Sequence, residues 1–489
     1  MDNRNLKTKM TSGFVWNLLG LVGRQGTTFL VSLVLCRILD VRDFGVIALS
    51  MGLVGMVLGL TDAGLVSALI RQKDASKEQW STAFWLNIFL GVFLVAVLCI
   101  SGPALGAAFR EPQVGILIVV FAPLALVYAL SSTQQTYLRK EMRFKELAIA
   151  SLIAGLVSGF VGIFLAYSGY GVWTLVVQAY LAAVVRGCAI WFISSWRPTL
   201  HFEISSLSPL WPYIRRVYPV DMLGIFFSRL DTLVIGRMFG PVSLGYYNRS
   251  KSFELLINRF AAESLRTVLF SGFSLISNDK TQAGKLYQRL LDIVAYLSVG
   301  LAGFFYITAD EIVPILFSDK WIPSIPYLKV MLLAGYVAPV ISIQVSILRA
   351  VGDGRSYLGG DLIKKLLLIA SLVIGFQFGI LGFLWARVAV STLETLVINP
   401  IFVQRDVNSK QTTQCWIVLK YGLFGGVVVG IWEMLDWSSG GRVADLVING
   451  GYFVVAYFMG NLFLLSELRQ TFSQEFHSLM TRYGPSKSI

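Results

Sequence analysis

Fourteen apolar stretches follow one another along the 489 residues of this chain, each close to the roughly 20 residues needed for one bilayer crossing. They centre near residues 24, 51, 91, 125, 157, 183, 227, 258, 297, 336, 369, 392, 427 and 456. In hydrocarbon every backbone N–H and C=O needs a partner from the chain itself, so runs of this length become helices. The expected fold is an all-α integral membrane protein of about 14 transmembrane helices. The connections are too short for a soluble catalytic domain. The first apolar run, Phe14 to Leu39, is longer than a signal-peptide core and contains Arg24, so it reads as a membrane helix and not as a cleavable leader.

The net charge of +13 invites a nucleic-acid reading, but its distribution argues for topology. Lys and Arg gather in alternate connections, among them Arg139, Lys140, Arg143 and Lys145, then Lys280, Lys285 and Arg289, then Arg405 and Lys410. The connections between these, such as residues 168–171 and 378–382, are poor in cations. The positive-inside rule places the basic loops and both termini in the cytoplasm. Cys36, Cys99, Cys188 and Cys415 are scattered through apolar segments, and His201 and His477 lie far apart. These spacings suggest no disulfide framework, metal site or histidine-based active site. No cofactor is expected.

An internal repeat organises the chain. Val34-Leu35-Cys36-Arg37-Ile38-Leu39 with Asp43-Phe44-Gly45-Val46 is echoed 200 residues later by Val234-Ile235-Gly236-Arg237-Met238-Phe239 with Ser243-Leu244-Gly245-Tyr246. Leu138-Arg139 recurs as Leu348-Arg349, and Gly169-Tyr170-Gly171-Val172-Trp173 as Gly379 to Trp385. The implied organisation is a six-helix lobe over residues 10–200 and a second over 212–405. Spans 13 and 14 follow over 416–467, and a cytoplasmic tail over 468–489. Because six is even, both lobes enter from one side, which predicts a pseudo-two-fold axis along the membrane normal.

Charges inside the spans mark the candidate site, since lipid cannot solvate them. On the first span Gly13, Asn17, Gly20, Arg24, Thr27 and Thr28 share one face, and Arg24 lies near mid-membrane. The glycines and threonines of that face also suit close helix packing. The eighth span carries the strongest pattern. Along Gly245–Phe270, at about 100° per residue, Asn248, Lys251, Ser252, Asn258, Arg259, Glu263 and Arg266 share one face. Phe253, Ile257, Phe260, Ala261 and Val268 lie opposite. The stripe is net positive, so a cargo passing it should be anionic. Two other readings exist: a helix lying flat at the interface, and an ion network with Glu263 between Arg259 and Arg266. On the seventh span Arg229 and Asp231 are two residues apart and so point to different sides. Asp231 is a candidate for an ion pair with Arg24 or Arg266, or for proton or sodium binding. Glu394 and Asp62 are weaker ion-site candidates.

The run Arg229-x-Asp231-Thr232-Leu233-x-Ile235-Gly236, with Gly240 and Leu244-Gly245-Tyr246-Tyr247-Asn248, resembles the polysaccharide-transporter branch of the multidrug/oligosaccharidyl-lipid/polysaccharide exporter superfamily. Arg37-x-Leu39, Asp43-Phe44-Gly45 and Asp62-x-Gly64-Leu65 point the same way, most closely to exporters of the colanic-acid and teichuronic-acid type. The resemblance implies a flippase in the bacterial inner membrane, working by alternating access. Its implied cargo is undecaprenyl-pyrophosphate-linked oligosaccharide for exopolysaccharide, capsule or O-antigen synthesis. Proton or sodium coupling, and partners such as a polysaccharide polymerase, belong to the same implication.

The expected cation set for the pyrophosphate is Arg24, Arg249, Lys251, Arg259 and Arg266. Asn17, Gln25 and Asn258 are candidate sugar contacts, and Asp231 and Glu263 candidate ion-coupling or ion-pair residues. Spans 13 and 14 offer a groove for the polyprenyl tail. The alternatives are a multidrug exporter, whose cavity would favour acidic and aromatic walls, and a membrane-embedded polymerase or ligase, which usually needs a large external loop.

Overall fold

The computed structural model describes residues 23, 26–59, 65–72, 75–263, 280–350, 354–407, 409–435 and 440–464. Every regular element among them is helical. Among the described residues, ten segments are long and apolar enough to cross a membrane. The gap from fourteen has identifiable origins. The expected spans near 369 and 392 lie in one run, Gly359–Val407, whose 49 residues measure roughly 74 Å, more than twice the hydrocarbon thickness. The expected spans near 227 and 258 lie along the charged helix Trp211–Asn258. Of the first span, Gly26–Ile38 appears as a shorter apolar helix.

The chain divides into two compact units, Met1–Asn248 and Arg249–Ile489. The division falls inside Trp211–Asn258 and not at the repeat boundary near 212, because the first part of that helix packs within the first unit.

In the first unit the helices are α1 (Gly26–Ile38), α2 (Val41–Leu58), α3 (Leu65–Arg71), α4 (Lys77–Ala108), α5 (Pro112–Phe121), α6 (Leu124–Lys140), α7 (Phe144–Tyr167), α8 (Val172–Ile193) and the start of α9 (Trp211–Asn258). Their ends follow from local chemistry. Ser76 and Gln79 form a reciprocal capping box that starts α4. Gln79 Nε2 also donates to the Ser206 carbonyl at 2.8 Å, tying the 194–210 connection to that helix start. Pro112 opens α5, where a missing N–H costs nothing. Between α7 and α8 the chain turns through Gly169 and Gly171, at φ +83° and +54°.

Helix α9 is broken at Gly240 (φ 80°, ψ 176°) and resumes at Pro241. On both sides of the break it runs antiparallel to α2 at very short range. A Cβ on Gly45 would stand 1.7 Å from the Pro241 carbonyl oxygen, and one on Gly245 would stand 2.5 Å from that of Val41. Thr232 lies against Gly52, Arg229 against Gly55 and Ile225 against Gly59, so the seam extends along the whole of α2. Small residues at this spacing let two backbones approach, which is the main route to helix association where lipid competes for apolar contacts.

The second unit holds the end of α9, then α10 (Lys280–Ile307), α11 (Ala309–Phe317), α12 (Ile325–Gly335), α13 (Val337–Ala350), α14 (Gly354–Gly375), α15 (Gly379–Leu393), α16 (Asn399–Val407), α17 (Gln411–Leu435) and α18 (Arg442–Leu464). Its core gathers around α10, where Tyr287, Tyr296, Tyr421, Phe453 and Tyr457 are buried together. The two helices outside the repeat, α17 and α18, supply three of these five rings. The Lys420 ammonium lies 2.6 Å from Asp292, which also accepts from the Tyr421 hydroxyl at 3.0 Å. Spans 13 and 14 are thus built into this unit's core.

Candidate functional site

The charges within the helices are grouped unit by unit. In the first, α9 carries Arg229 and Asp231. Two residues apart on a helix diverge by about 200°, and Arg229 is exposed while Asp231 is buried. Asp231 Oδ2 accepts a bond from the Tyr247 hydroxyl at 2.8 Å, joining the two sides of the Gly240 break. The guanidinium of Arg229 lies along α2, and a Cβ on Gly55 would be 3.5 Å from its Nη2. Among the described residues no hydrogen bond or ion pair engages Arg229. This arginine is absent from the sequence-derived set. The available cue is the glycine run at 52, 55 and 59, which leaves room beside a long side chain.

In the second unit the amphipathic division of the eighth span is visible up to Arg259. Phe253, Ile257 and Ala261 are buried, while Lys251, Ser252, Asn258 and Arg259 are half-buried. Phe260 departs from the projection: it is 61% exposed. The reason is a change of helix type, because Arg259–Glu263 is π-helical. The wider turn departs from a 100° projection over those five residues. As an α-helical face the stripe can be followed up to Arg259. The side chain of Glu263, and all of Arg266, Asn17, Arg24, Gln25 and Asp62, lie outside the described residues.

Several residues of this stretch reach other elements of the second unit. Arg249 holds its Cζ 4.9 Å from the Phe317 ring centre and 5.4 Å from that of Trp321, so aromatic faces balance part of its charge. Asn258 Oδ1 accepts from the Ser342 hydroxyl of α13 at 3.0 Å. One turn earlier, Glu254 accepts from Arg387 Nη2 of α15 at 2.9 and 3.2 Å. Glu394, a candidate ion residue, lies 2.8 Å from Lys364 Nζ. It also opens a second π-helical segment, Glu394–Ile398. Sequence spacing could not pair Glu254 with Arg387, because 133 residues separate them. No group of three metal-ligating side chains occurs among the described residues. Chemically, the arrangement offers guanidinium and ammonium groups on apolar helices, the donors that hold phosphate oxygens.

Comparison with known proteins places the chain. The family model for polysaccharide biosynthesis proteins matches residues 34–326, more than half of its length. The chain is similar to the succinoglycan biosynthesis transport protein ExoT of Rhizobium meliloti, at 22% identity over 76% of this chain and 75% of that protein. It is also similar to the lipopolysaccharide biosynthesis protein WzxC of Escherichia coli, at 24% identity over 81% and 82%. Among solved structures, the inward closed conformation of the lipid II flippase MurJ superposes with a TM-score of 0.73 at 14% identity, covering 94% of this chain and 99% of that one. An inward-facing multidrug resistance MATE transporter of the MOP superfamily gives 0.60 at 14% identity, over 86% and 100%. At such identities these two likenesses describe the fold. The family match, the named transport relative and the apolar helices agree, and the chain belongs to the polysaccharide biosynthesis protein family as a multi-pass membrane protein.

Proposed function

We propose that this protein flips undecaprenyl-pyrophosphate-linked oligosaccharide units from the cytoplasmic to the periplasmic leaflet by alternating access. The single observation that carries this reading is cationic side chains on the helices of a transporter fold. Arg259 and Lys251 are half-buried beside the buried Phe253, Ile257 and Ala261, and Arg229 is exposed and engaged by no carboxylate among the described residues. A pyrophosphate is the anion such donors fit. In the second unit we assign it to Lys251 and Arg259; in the first, Arg229 is a separate candidate phosphate donor, and Arg24 and Arg266 remain from the sequence reading. Arg249, set over two aromatic rings, contributes field more than contact, and Asn258 is assigned to sugar.

Fourteen passes, two lobes and cytoplasmic termini complete the proposal. A groove of about 180 Å³ lined by Val299, Ala302, Tyr306, Tyr336, Gly422 and Gly425 supports a seat for part of the polyprenyl chain beside span 13. The state change needs no covalent step, because cargo that binds two conformations unequally shifts their populations. A proton or sodium gradient supplies direction in this reading, and a polymerase receives the flipped unit.

The test is flipping of lipid-linked oligosaccharide in proteoliposomes. Arg259→Gln and Arg229→Gln should each slow flipping about tenfold, the loss of one charge-assisted bond, measured on variants that melt as folded protein. Wild-type flipping in both variants overturns the cation assignment, and flipping that ignores imposed pH and sodium gradients overturns the coupling.

A further inference from the structure

A second feature lies in the first unit, between two of its helices. Helices α6 and α8 leave between them a recess of about 470 Å³, lined by Val127, Leu130, Val184, Cys188, Trp191 and Arg197. Its floor is Gly187 of α8 against Ser131 of α6, where a Cβ on the glycine would stand 3.7 Å from the serine Cβ. The Ser131 hydroxyl is turned to its own helix, donating to the carbonyls of Val127 and Tyr128, so the floor is apolar. Val184 and Cys188 on the walls are exposed, which opens the recess sideways.

One end of the recess is charged. The Arg197 guanidinium uses Nη1 alone for the carbonyls of Ser194 and Trp196. Its Cζ lies 5.7 Å from the Trp191 ring centre, and the Trp191 indole N–H is itself fixed on the Leu130 carbonyl at 2.9 Å. The guanidinium is thereby held in place, while Nε and Nη2 have no recorded partner and no carboxylate pairs with it among the described residues. The same level of the unit is rich in amphipathic aromatics. Trp80, Tyr137 and Trp196 pack edge-on and stacked, with Lys140 Nζ 5.4 Å from the Trp80 ring centre. Arg197 follows the candidate span Val172–Ile193 by four residues, which sets its guanidinium near the end of that span, with the apolar recess running back along it.

We propose that this recess is a binding site for one anionic glycerophospholipid, with its phosphate on Nε and Nη2 of Arg197 and one acyl chain along α6 and α8. A fork of two N–H donors matches phosphate oxygens. A headgroup without an amine avoids the repulsion that a phosphatidylethanolamine ammonium would meet from Arg197. The site is independent of the flippase reading, since it involves none of the α9 cations.

The experiment is native mass spectrometry of the full chain in neutral detergent, titrated with phosphatidylglycerol, phosphatidylethanolamine or undecaprenyl phosphate. Wild type should retain one phosphatidylglycerol about tenfold more tightly than Arg197→Gln, the effect of losing charge-assisted bonds. Val184→Trp, which fills the recess from an exposed position, should lose the same binding event, with thermal melting of both variants in detergent unchanged. Equal affinity in wild type and both variants, or equal retention of phosphatidylethanolamine, overturns the site. Displacement of phosphatidylglycerol by equimolar undecaprenyl phosphate overturns the assigned occupant.

Discussion

The Glu254–Arg387 pair yields the sharpest energetic prediction. Both bonds run from one arginine nitrogen to the two carboxylate oxygens, and the side chains are 11% and 20% exposed. Removing one member of a buried pair leaves a charge without compensation, a loss of about 3–5 kcal/mol in dry interiors. The fifth of the arginine that remains exposed moderates this, so Glu254→Gln and Arg387→Gln should each destabilise the protein by about 3 kcal/mol. The double variant buries no net charge there and should lose about 4 kcal/mol in place of the additive 6, a coupling of about 2 kcal/mol. Reversible unfolding in mixed micelles of increasing dodecyl sulfate, followed by tryptophan fluorescence, measures all four corners of the cycle. A coupling within about 0.5 kcal/mol of zero, the range for independent sites, would refute a direct pair.

Three further perturbations probe other parts of the fold. Gly45→Ala places a methyl 1.7 Å from the Pro241 carbonyl oxygen and should cost about 3 kcal/mol or prevent folding, whereas Gly26→Ala, with nothing within 4 Å, should gain up to about 1 kcal/mol; fluorescence-detected size exclusion after heating compares them. Tyr247→Phe removes the bond to Asp231 and should cost about 2 kcal/mol in the same micelle titration. In the 194–210 connection, the Ser205 hydroxyl and His201 hold the Glu203 carboxyl below its ordinary value of 4.5. A depressed carboxyl contributes order above that value and loses it as pH falls through the folded-state value. Pepsin cleavage of this connection should rise as pH is lowered below 4.5 in wild type and follow a flatter profile in Glu203→Gln.

The sequence alone was enough for the membrane class and much of the helix layout, because lipid enforces helix and apolar length is additive along the chain. It also carried the family motifs, since turns such as Gly169-Tyr170-Gly171 and the Gly240 break depend on a few adjacent residues. The stripe from Lys251 to Arg259 was legible for the same reason, as one helical period repeats locally. At Phe260 the projection and the structure part, because a π-helical turn over Arg259–Glu263 has no signature in a 100° projection.

What only the tertiary structure decided were choices between distant parts of the chain. Glu254 finds Arg387 and Lys420 finds Asp292 across many helices, and no local spacing encodes such meetings. Tertiary packing also set the unit boundary inside α9, built spans 13 and 14 into the core around α10, and left Arg229 and Arg197 with uncommitted donors. Hydropathy and periodicity are sums over neighbours in sequence, whereas the partner of a charge inside a membrane is fixed by which helices come into contact.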